Sequence, residues 1–510
     1  MLKELFKIYP QPHKAQRKVF DRLLEGGRDT FFGEKYRLDT IRGPEQFAHA
    51  VPLHDYDALE PYVRRLLDGE DYILWGQKCR FFAKSSGTSS SKSKFIPITP
   101  DNLKKCHLRG FKMMLASYLD SNPQSRMFFG KSLTIAGSLS QDGSRGIFTG
   151  DLSGVLMSNS PKAADFFRIP RRDIALISDF DEKISAINRF YRKANVTSLA
   201  GVPAWNLLMI ERLLELNGLS NLCEMWPNME LYMHGGTGFG PYRETFKRLI
   251  PSDRMQYLEN YNASEGYFAF QDDLSDPGML LTLNNGVYYE FIPLQNLEKA
   301  QRDAALILAG ESSRGKYCVF DTIETVRTGV DYAMVISTNA GLWRYLIGDC
   351  VRFVSLNPFK VVISGRTKLF INAFGEELMI GNTDRAIEVV STRFGVRVRE
   401  YTVAPVFLQA GGAHQWIVEF IGRQPDVEEF ADALDKELQE LNSDYEAKRT
   451  HTHTMERLRL TVVPESTFIR WMESVGKKGG QNKVPRLSND RKIVDAILAF
   501  CNGGTDFDRR

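Results

Sequence analysis

An α/β fold in two parts is what this sequence predicts, on three observations. Strand-like and helix-like stretches alternate from residue 131 to 249, the pattern of a sheet covered by helices. Hairpin signals accumulate from 279 to 353, so antiparallel strands are expected to extend the α/β core as a β-subdomain. After Gly365-Arg366-Thr367-Lys368 the character changes, and helices alternate with strands over a stretch the size of a small independent domain. The expected organisation is a large N-terminal domain over 1–364, a boundary at 365–368, and a smaller α+β domain over 369–510.

Each element has its own reason. Val19, Phe20, Leu23 and Leu24 recur at helical spacing within 12–24, and a second, polar-faced helix is expected over 56–67. Asp101 is the expected N-cap of a helix in which Leu103, His107, Phe111, Met114 and Tyr118 recur at three- and four-residue steps. Residues 131–136 and 229–233 read as strands, and 181–193 and 204–217 as helices. The runs 279–283 and 287–292 flank Asn284-Asn285-Gly286, a strong hairpin signal, and 333–337 and 342–353 flank Asn339-Ala340-Gly341. Residues 360–364 form one more strand. Beyond the boundary, helices are expected near 378–394, 426–441 and 488–501, and strands near 397–404, 415–421 and 458–463.

Composition narrows the function. Lys and Arg number 66 against 63 Asp and Glu, a net charge of +3. That balance leaves no electrostatic footprint for nucleic acid or an anionic membrane, so any anion must be bound locally. A hydrophobic fraction of 43% with 25% charged residues is that of a globular protein. The N-terminus has charges spaced through it and no apolar leader core, and no window approaches the ~18 apolar residues of a membrane span. A cytoplasmic protein is expected. The six cysteines are scattered without a CxxC pair, which points away from a zinc ribbon or a disulfide framework.

Four stretches carry chemistry. Lys84-Ser-Ser-Gly-Thr-Ser-Ser-Ser-Lys-Ser-Lys94 surrounds one glycine with hydroxyls and lysines; such a loop either cradles a phosphate or is a flexible serine-rich linker. His234-Gly235-Gly236-Thr237-Gly238 ends a strand, where exposed backbone is either a ligand edge or a tight turn before the next helix. In Tyr261-Asn262-Ala263-Ser264-Glu265 a polar turn breaks two apolar runs, presenting a carboxylate that either holds magnesium or is simply solvated. Near the C-terminus, 477–486 is a basic, glycine-containing loop that ends Lys483-Val484-Pro485-Arg486.

Taken in order, the serine loop, the Tyr-x-x-Ser-Glu turn, Tyr345-Leu346-Ile347-Gly348-Asp349 and Gly365-Arg366-Thr367-Lys368 follow the motif order of adenylate-forming ligases. More closely, the set resembles the Gretchen Hagen 3 family of acyl-acid amido synthetases, known from auxin and jasmonate conjugation in plants. The resemblance covers nearly the whole chain. It implies an adenylate-forming-ligase-like N-terminal domain, a hinge at 365–368 and a mobile C-terminal domain. It also implies ATP and Mg2+ as cofactors, with a small carboxylic acid and an amine, most simply an amino acid, as partners, and no nucleic acid or membrane.

On this resemblance Ser85, Ser86, Gly87, Thr88, Ser89 and Lys94 would hold the phosphates, and Thr237 and Gly238 with Gly236 would line the adenine or acyl-phosphate edge. Glu265 would carry magnesium, Tyr261 and Ser264 would complete the second motif with the Tyr261 ring against adenine, and Asp349 would take both ribose hydroxyls. Arg366 and Lys368 belong to the hinge, and Lys483 is similar to the lysine that enters during adenylation. Ser91 replaces a second glycine, Asn262-Ala263 replaces the usual small and serine residues, and Leu346 stands where the plant enzymes have arginine. These departures bear on fine geometry and the acceptor. Phe128, Phe129, Phe148 and Met157 are apolar candidates for the acyl pocket, with core packing as their expected role. The competing readings are transfer of the acyl group to coenzyme A or a carrier thiol, and a binding protein that recognises nucleotide or acyl group without turnover.

Overall fold

The computed structural model describes residues 11–85, 94–142, 145–177, 179–236, 239–310, 320–367, 370–371, 373–374, 376, 378–408, 411–450, 455–475 and 484–503. The chain divides into two compact units, Met1–Thr237 with Leu249–Ile363, and Gly238–Arg248 with Ser364–Arg510. No helix among the described residues is long and apolar enough to cross a membrane.

The first unit opens with helices Pro12–Gly27, Phe31–Tyr36, Pro44–Ala50 and Tyr56–Leu67, and its first strands, β1 (Phe81–Ser85) and β2 (Lys94–Ile98), belong to a small sheet with β4 (Leu139–Asp142) and β5 (Ile147–Gly150) in the order β2-β1-β5-β4. Among the described residues its main sheet has eleven strands. Their ranges are β3 (Lys131–Thr134), β6 (Arg168–Ile169), β7 (Val196–Gly201), β8 (Leu231–Gly235), β9 (Gln256–Ala263), β10 (Gly266–Gln271), β11 (Met279–Leu281), β12 (Val287–Pro293), β13 (Asp331–Thr338), β14 (Tyr345–Leu356) and β15 (Phe359–Arg366). Their order is β12-β13-β14-β15-β11-β10-β9-β8-β7-β3-β6.

Strand β9 is the seam of this sheet. It runs parallel to β8 and antiparallel to β10, so the parallel half, β6-β3-β7-β8-β9, meets the antiparallel half there. The carboxyl ends of β7, β8 and β9 carry Gly201, Gly235-Gly236 and Ser264-Glu265, and open α/β sheets bind ligands beyond such ends. Strands β8, β10, β12 and β13 are buried almost throughout, because the sheet is covered on both faces and has no solvent side to alternate with.

Two sequence expectations are corrected here. Asn284-Asn285-Gly286 does not close a hairpin: β11 pairs with β10 and β15, whereas β12 pairs with β13 at the sheet edge. Buried side chains hold this crossing. Gln16 Nε2 donates to the Leu283 and Val287 carbonyls at 3.0 and 2.9 Å, and Asn285 Nδ2 donates to the Tyr267 carbonyl. The helix after β2 is capped by Thr99, whose hydroxyl accepts from Asn102 N at 3.1 Å, leaving Asp101 in the first turn.

The third-motif strand begins at a buried ion pair. Arg344, in the left-handed region at φ 41°, binds Glu290 with both side chains almost fully buried and donates to the Ala48 and Val51 carbonyls at 3.0 and 2.9 Å. Removing one partner strands a buried charge. Glu290→Ala is therefore expected to cost about 3–5 kcal/mol of stability, read as a lower midpoint in urea unfolding; an unchanged midpoint would contradict it.

The second unit is built on β18 (Val398–Leu408), β19 (Gly411–Phe420) and β20 (Arg459–Val463), with helices over 380–394, 427–441, 467–474 and 492–503. A short ribbon, β16 (Phe370–Ile371) with β17 (Leu378–Met379), precedes them. The expected three helices and three strands occur in this unit in the expected order, but the ribbon and two further helices, Ser443–Thr450 and Thr467–Ser474, are added to it.

Candidate active site

The turn between β9 and β10 is the centre of the first unit's site. Ala263 pairs with Gly266, so Ser264 and Glu265 are its two tip residues, yet Ser264 and Glu265 are only 5% and 7% exposed. A solvated turn would not be buried, and a carboxylate out of water requires partners.

A few residues away, the Tyr261 hydroxyl donates to Asp349 Oδ2 at 2.5 Å. Asp349 reaches it because β14 bulges: Ala333 faces Cys350 and Val335 faces Leu346, leaving Ile347, Gly348 and Asp349 opposite Met334. Gly348 takes φ 94° in this bulge, a conformation that suits glycine. Tyr261 is itself buried, its ring 4.9 Å from Phe268. Its visible role is to orient the carboxylate.

Tyr345 connects these groups. Burial, then the Glu265 carboxylate, hold its hydroxyl well above the ordinary range, with Tyr56, Asp55 and Asp349 adding to the effect. Tyr56 in turn anchors the exit of the serine loop, accepting from Phe95 N at 2.7 Å, while Lys94 Nζ lies 5.6 Å from its ring centroid. The loop's base is closed by the pair Ser85 and Lys94. Glu265 and Asp349 thus both act on Tyr345, and Tyr56, which also acts on Tyr345, has Lys94 at its ring.

In the second unit, Arg366 ends β15 and Thr367 beside it is buried. The segment after the basic loop is firmly held: Arg486 binds Asp384 and Glu400, its carbonyl accepts from Val403 N at 2.8 Å, and Pro485 O accepts from Thr402 Oγ1 at 2.7 Å. Glu376, just beyond the predicted hinge, pairs with His414 at 2.7 Å with both side chains fully buried.

Ser86, Gly87, Thr88, Ser89, Thr237, Gly238, Lys368 and Lys483 lie outside the described residues, as does the Ser85 side chain. Of the apolar candidates, Met157 is buried and Phe148 stacks on Phe81 at 4.9 Å. Phe128 and Phe129, by contrast, are 43% and 81% exposed, so they do not pack in the core. Sequence reading missed Tyr56 and the bond between Tyr261 and Asp349. Tyr56 follows the helix cap Asp55, and helical periodicity carries no sign of its contact with the serine loop.

The donor set suits a nucleotide. Asp349 is an acceptor-only carboxylate, and Glu265 is a second one held out of bulk water close by. Among the described residues, no three His, Cys, Asp or Glu side chains gather as a metal cluster. Magnesium at Glu265 would therefore complete its shell with phosphate oxygens and water, the usual arrangement for this ion.

Sequence patterns of one family cover most of the chain. The GH3 family N-terminal domain matches residues 1–146 and 113–255, its central domain 280–366 and its C-terminal domain 381–492. The chain belongs to the GH3 family. Indole-3-acetic acid-amido synthetase GH3.4 of Arabidopsis thaliana is 22% identical to it, over 97% of this chain and 93% of that protein. The solved structure of GH3.15 acyl acid amido synthetase has a TM-score of 0.79 at 16% identity, covering 98% of this chain and 95% of that one. A 2-hydroxyisobutyryl-CoA ligase with 2-HIB-AMP bound follows at TM-score 0.61 and 13% identity, over 96% and 93%. These structural likenesses show the fold. A GH3 chain and a CoA ligase share it, so the fold alone does not choose the acceptor.

Within this GH3 chain, Asp349→Ala is expected to weaken ATP binding by about 1.5–3 kcal/mol, roughly 10- to 150-fold in Kd. Tyr261→Phe, which keeps the acceptor, is expected to cost less. Calorimetric titration with a non-hydrolysable ATP analogue checks both, and unchanged affinity in Asp349→Ala removes this carboxylate from the nucleotide site.

Proposed function

We propose that this chain is an ATP-dependent acyl-acid amido synthetase. It converts a small carboxylic acid to an acyl-adenylate with release of pyrophosphate, then passes the acyl group to the amine of an amino acid with release of AMP, in the cytoplasm. The observation that carries the reading is the buried Ser264-Glu265 turn beside Asp349, which Tyr261 holds, in a chain of the GH3 family. Amido synthetases among its relatives support the amine as acceptor.

Activation requires a carboxylate oxygen to attack the α-phosphorus against like-charge repulsion, so donors and cations must surround the phosphates. Ser85, Ser86, Gly87, Thr88 and Ser89 supply hydroxyl and N–H donors, and Lys94 supplies charge. Asp349 accepts from the ribose hydroxyls, oriented by Tyr261. Glu265, next to Ser264, is the ligand for magnesium, which when bound neutralises phosphate charge. Thr237 and Gly238 border the nucleotide. Lys483 is the cation for the carboxylate and α-phosphate during adenylation, and Arg366 with Lys368 belongs to a hinge at 365–368, so that the C-terminal domain serves two half-reactions in turn. The acyl-adenylate is a mixed anhydride, so aminolysis needs no covalent enzyme intermediate.

ATP–pyrophosphate exchange tests this with the purified full chain, magnesium, and a panel of aromatic, indole and aliphatic acids. Acid-dependent exchange is expected. ATP binding without exchange for any acid would instead favour a non-catalytic binder.

A further inference from the structure

The helix that follows β2 is not regular. Its segment Leu103–His107 is a π-helical turn between the α-helical Pro100–Asn102 and Leu108–Ser121, and such turns recur where a helix must aim side chains at a functional element. Here both side chains at the end of the turn meet the β9–β10 hairpin. Cys106 Sγ accepts from Tyr267 N at 3.2 Å, and His107 Nδ1 lies 3.0 Å from Asn262 Oδ1. One turn on, the space where a Gly110 Cβ would stand is filled by the Tyr267 ring, 2.3 Å away. The helix and the hairpin are therefore fitted to each other over their whole contact.

His107 is 1% exposed. Burial holds its imidazole down at about 4, with Asn262 and the Ser264 carbonyl opposing, so the ring is neutral in ordinary buffers. With hydrogen on Nδ1, the ring donates to Asn262 Oδ1. Among the described residues Nε2 has no partner within full hydrogen-bond geometry, while the Ser264 backbone also acts on the ring. A position that served packing alone would be filled as well by leucine, at no cost in desolvated nitrogen atoms.

The helix carrying His107 starts two residues after β2, whose first residue is Lys94. Asn262 stands between Tyr261, which orients Asp349, and the tip residues Ser264 and Glu265. We propose that His107 is a positioning residue for adenylation: through Asn262 it locks the turn that presents Glu265 to the element that leads out of the phosphate loop. The inference rests on the proposed function, in which that loop and Glu265 hold magnesium and ATP.

Three variants of the full chain test it. His107→Leu removes both nitrogens; His107→Asn keeps an amide donor near the place of Nδ1; His107→Gln moves the donor towards the place of Nε2. Loss of an outer partner of this kind is expected to weaken Mg·ATP binding and slow pyrophosphate release by about 10- to 100-fold in His107→Leu and His107→Gln. His107→Asn is expected to recover most of both. Aminolysis of a preformed acyl-adenylate should stay within about twofold of the parent in all three, because in the proposed reaction Glu265 serves the magnesium that accompanies the β- and γ-phosphates, which have left as pyrophosphate by that step.

The proposal is overturned if His107→Asn is as defective as His107→Leu, if the two half-reactions fall together, or if His107→Leu binds Mg·ATP like the parent. Should His107→Leu fail to fold, the contrast between His107→Asn and His107→Gln decides in its place. Mg·ATP affinity is measured by calorimetry with a non-hydrolysable analogue and needs no acid. A chain that releases no pyrophosphate with any acid thus counts against the proposed reaction, while the binding contrast still decides the role of His107.

Discussion

Lys483→Ala is expected to slow acid-dependent pyrophosphate release about 10²- to 10³-fold, the size of losing one donor to developing charge in a site shielded from water. The reason is electrostatic. An anionic oxygen approaching an anionic phosphate meets repulsion that only a fixed cation close to both can offset, and a lysine on an otherwise neutral side chain stem is a compact charge suited to that work. The anchoring of Pro485 and Arg486 to β18 and to Asp384 and Glu400 fixes the chain immediately after Lys483. The substitution should therefore remove the charge without unravelling the segment. Aminolysis of preformed acyl-adenylate is expected to be nearly unaffected. Equal losses in both steps would refute a role confined to adenylation.

Glu265→Gln has the second largest expected effect. Glutamine keeps the volume and one carbonyl acceptor but not the negative charge, so the turn should survive while the magnesium site loses its anionic ligand. Loss of about 2.7 kcal/mol of metal-assisted charge stabilisation corresponds to a fall on the order of 100-fold in adenylation. Raising magnesium should restore part of that rate, which distinguishes a weakened metal site from a distorted turn. A variant whose rate and magnesium requirement match the parent would take Glu265 out of the reaction.

Much of this site could be read in the chain because its chemistry is local. A polar pair between two apolar runs announces the Ser264–Glu265 turn, and Gly348 before Asp349 marks a place where a strand departs from regularity. What joins these pieces is not local. Sheet order depends on pairings such as β11 with β15 across about eighty residues, and no periodicity encodes them. The Asn-Asn-Gly signal misled for the same reason: Gln16 holds that connection from far away in sequence, and Asn285 bonds across to Tyr267 in β10. His107 was legible only as one more residue at helical spacing, since a π-turn shifts the face of a helix without disturbing its composition. The bond from the Tyr261 hydroxyl to Asp349 joins two strands 88 residues apart, which residue type alone does not announce.

The measurement that tests the central claim most directly is mass spectrometry of the acyl product. Purified chain, ATP, magnesium and an acid that supports exchange are incubated with mixed amino acids in one tube, coenzyme A in a second, and both in a third. The account predicts an acyl-amino acid amide, formed in equal amount with AMP, in the first and third tubes. Acyl-coenzyme A formed in preference to amide in the third tube, or AMP released with no amide in the first, would contradict it.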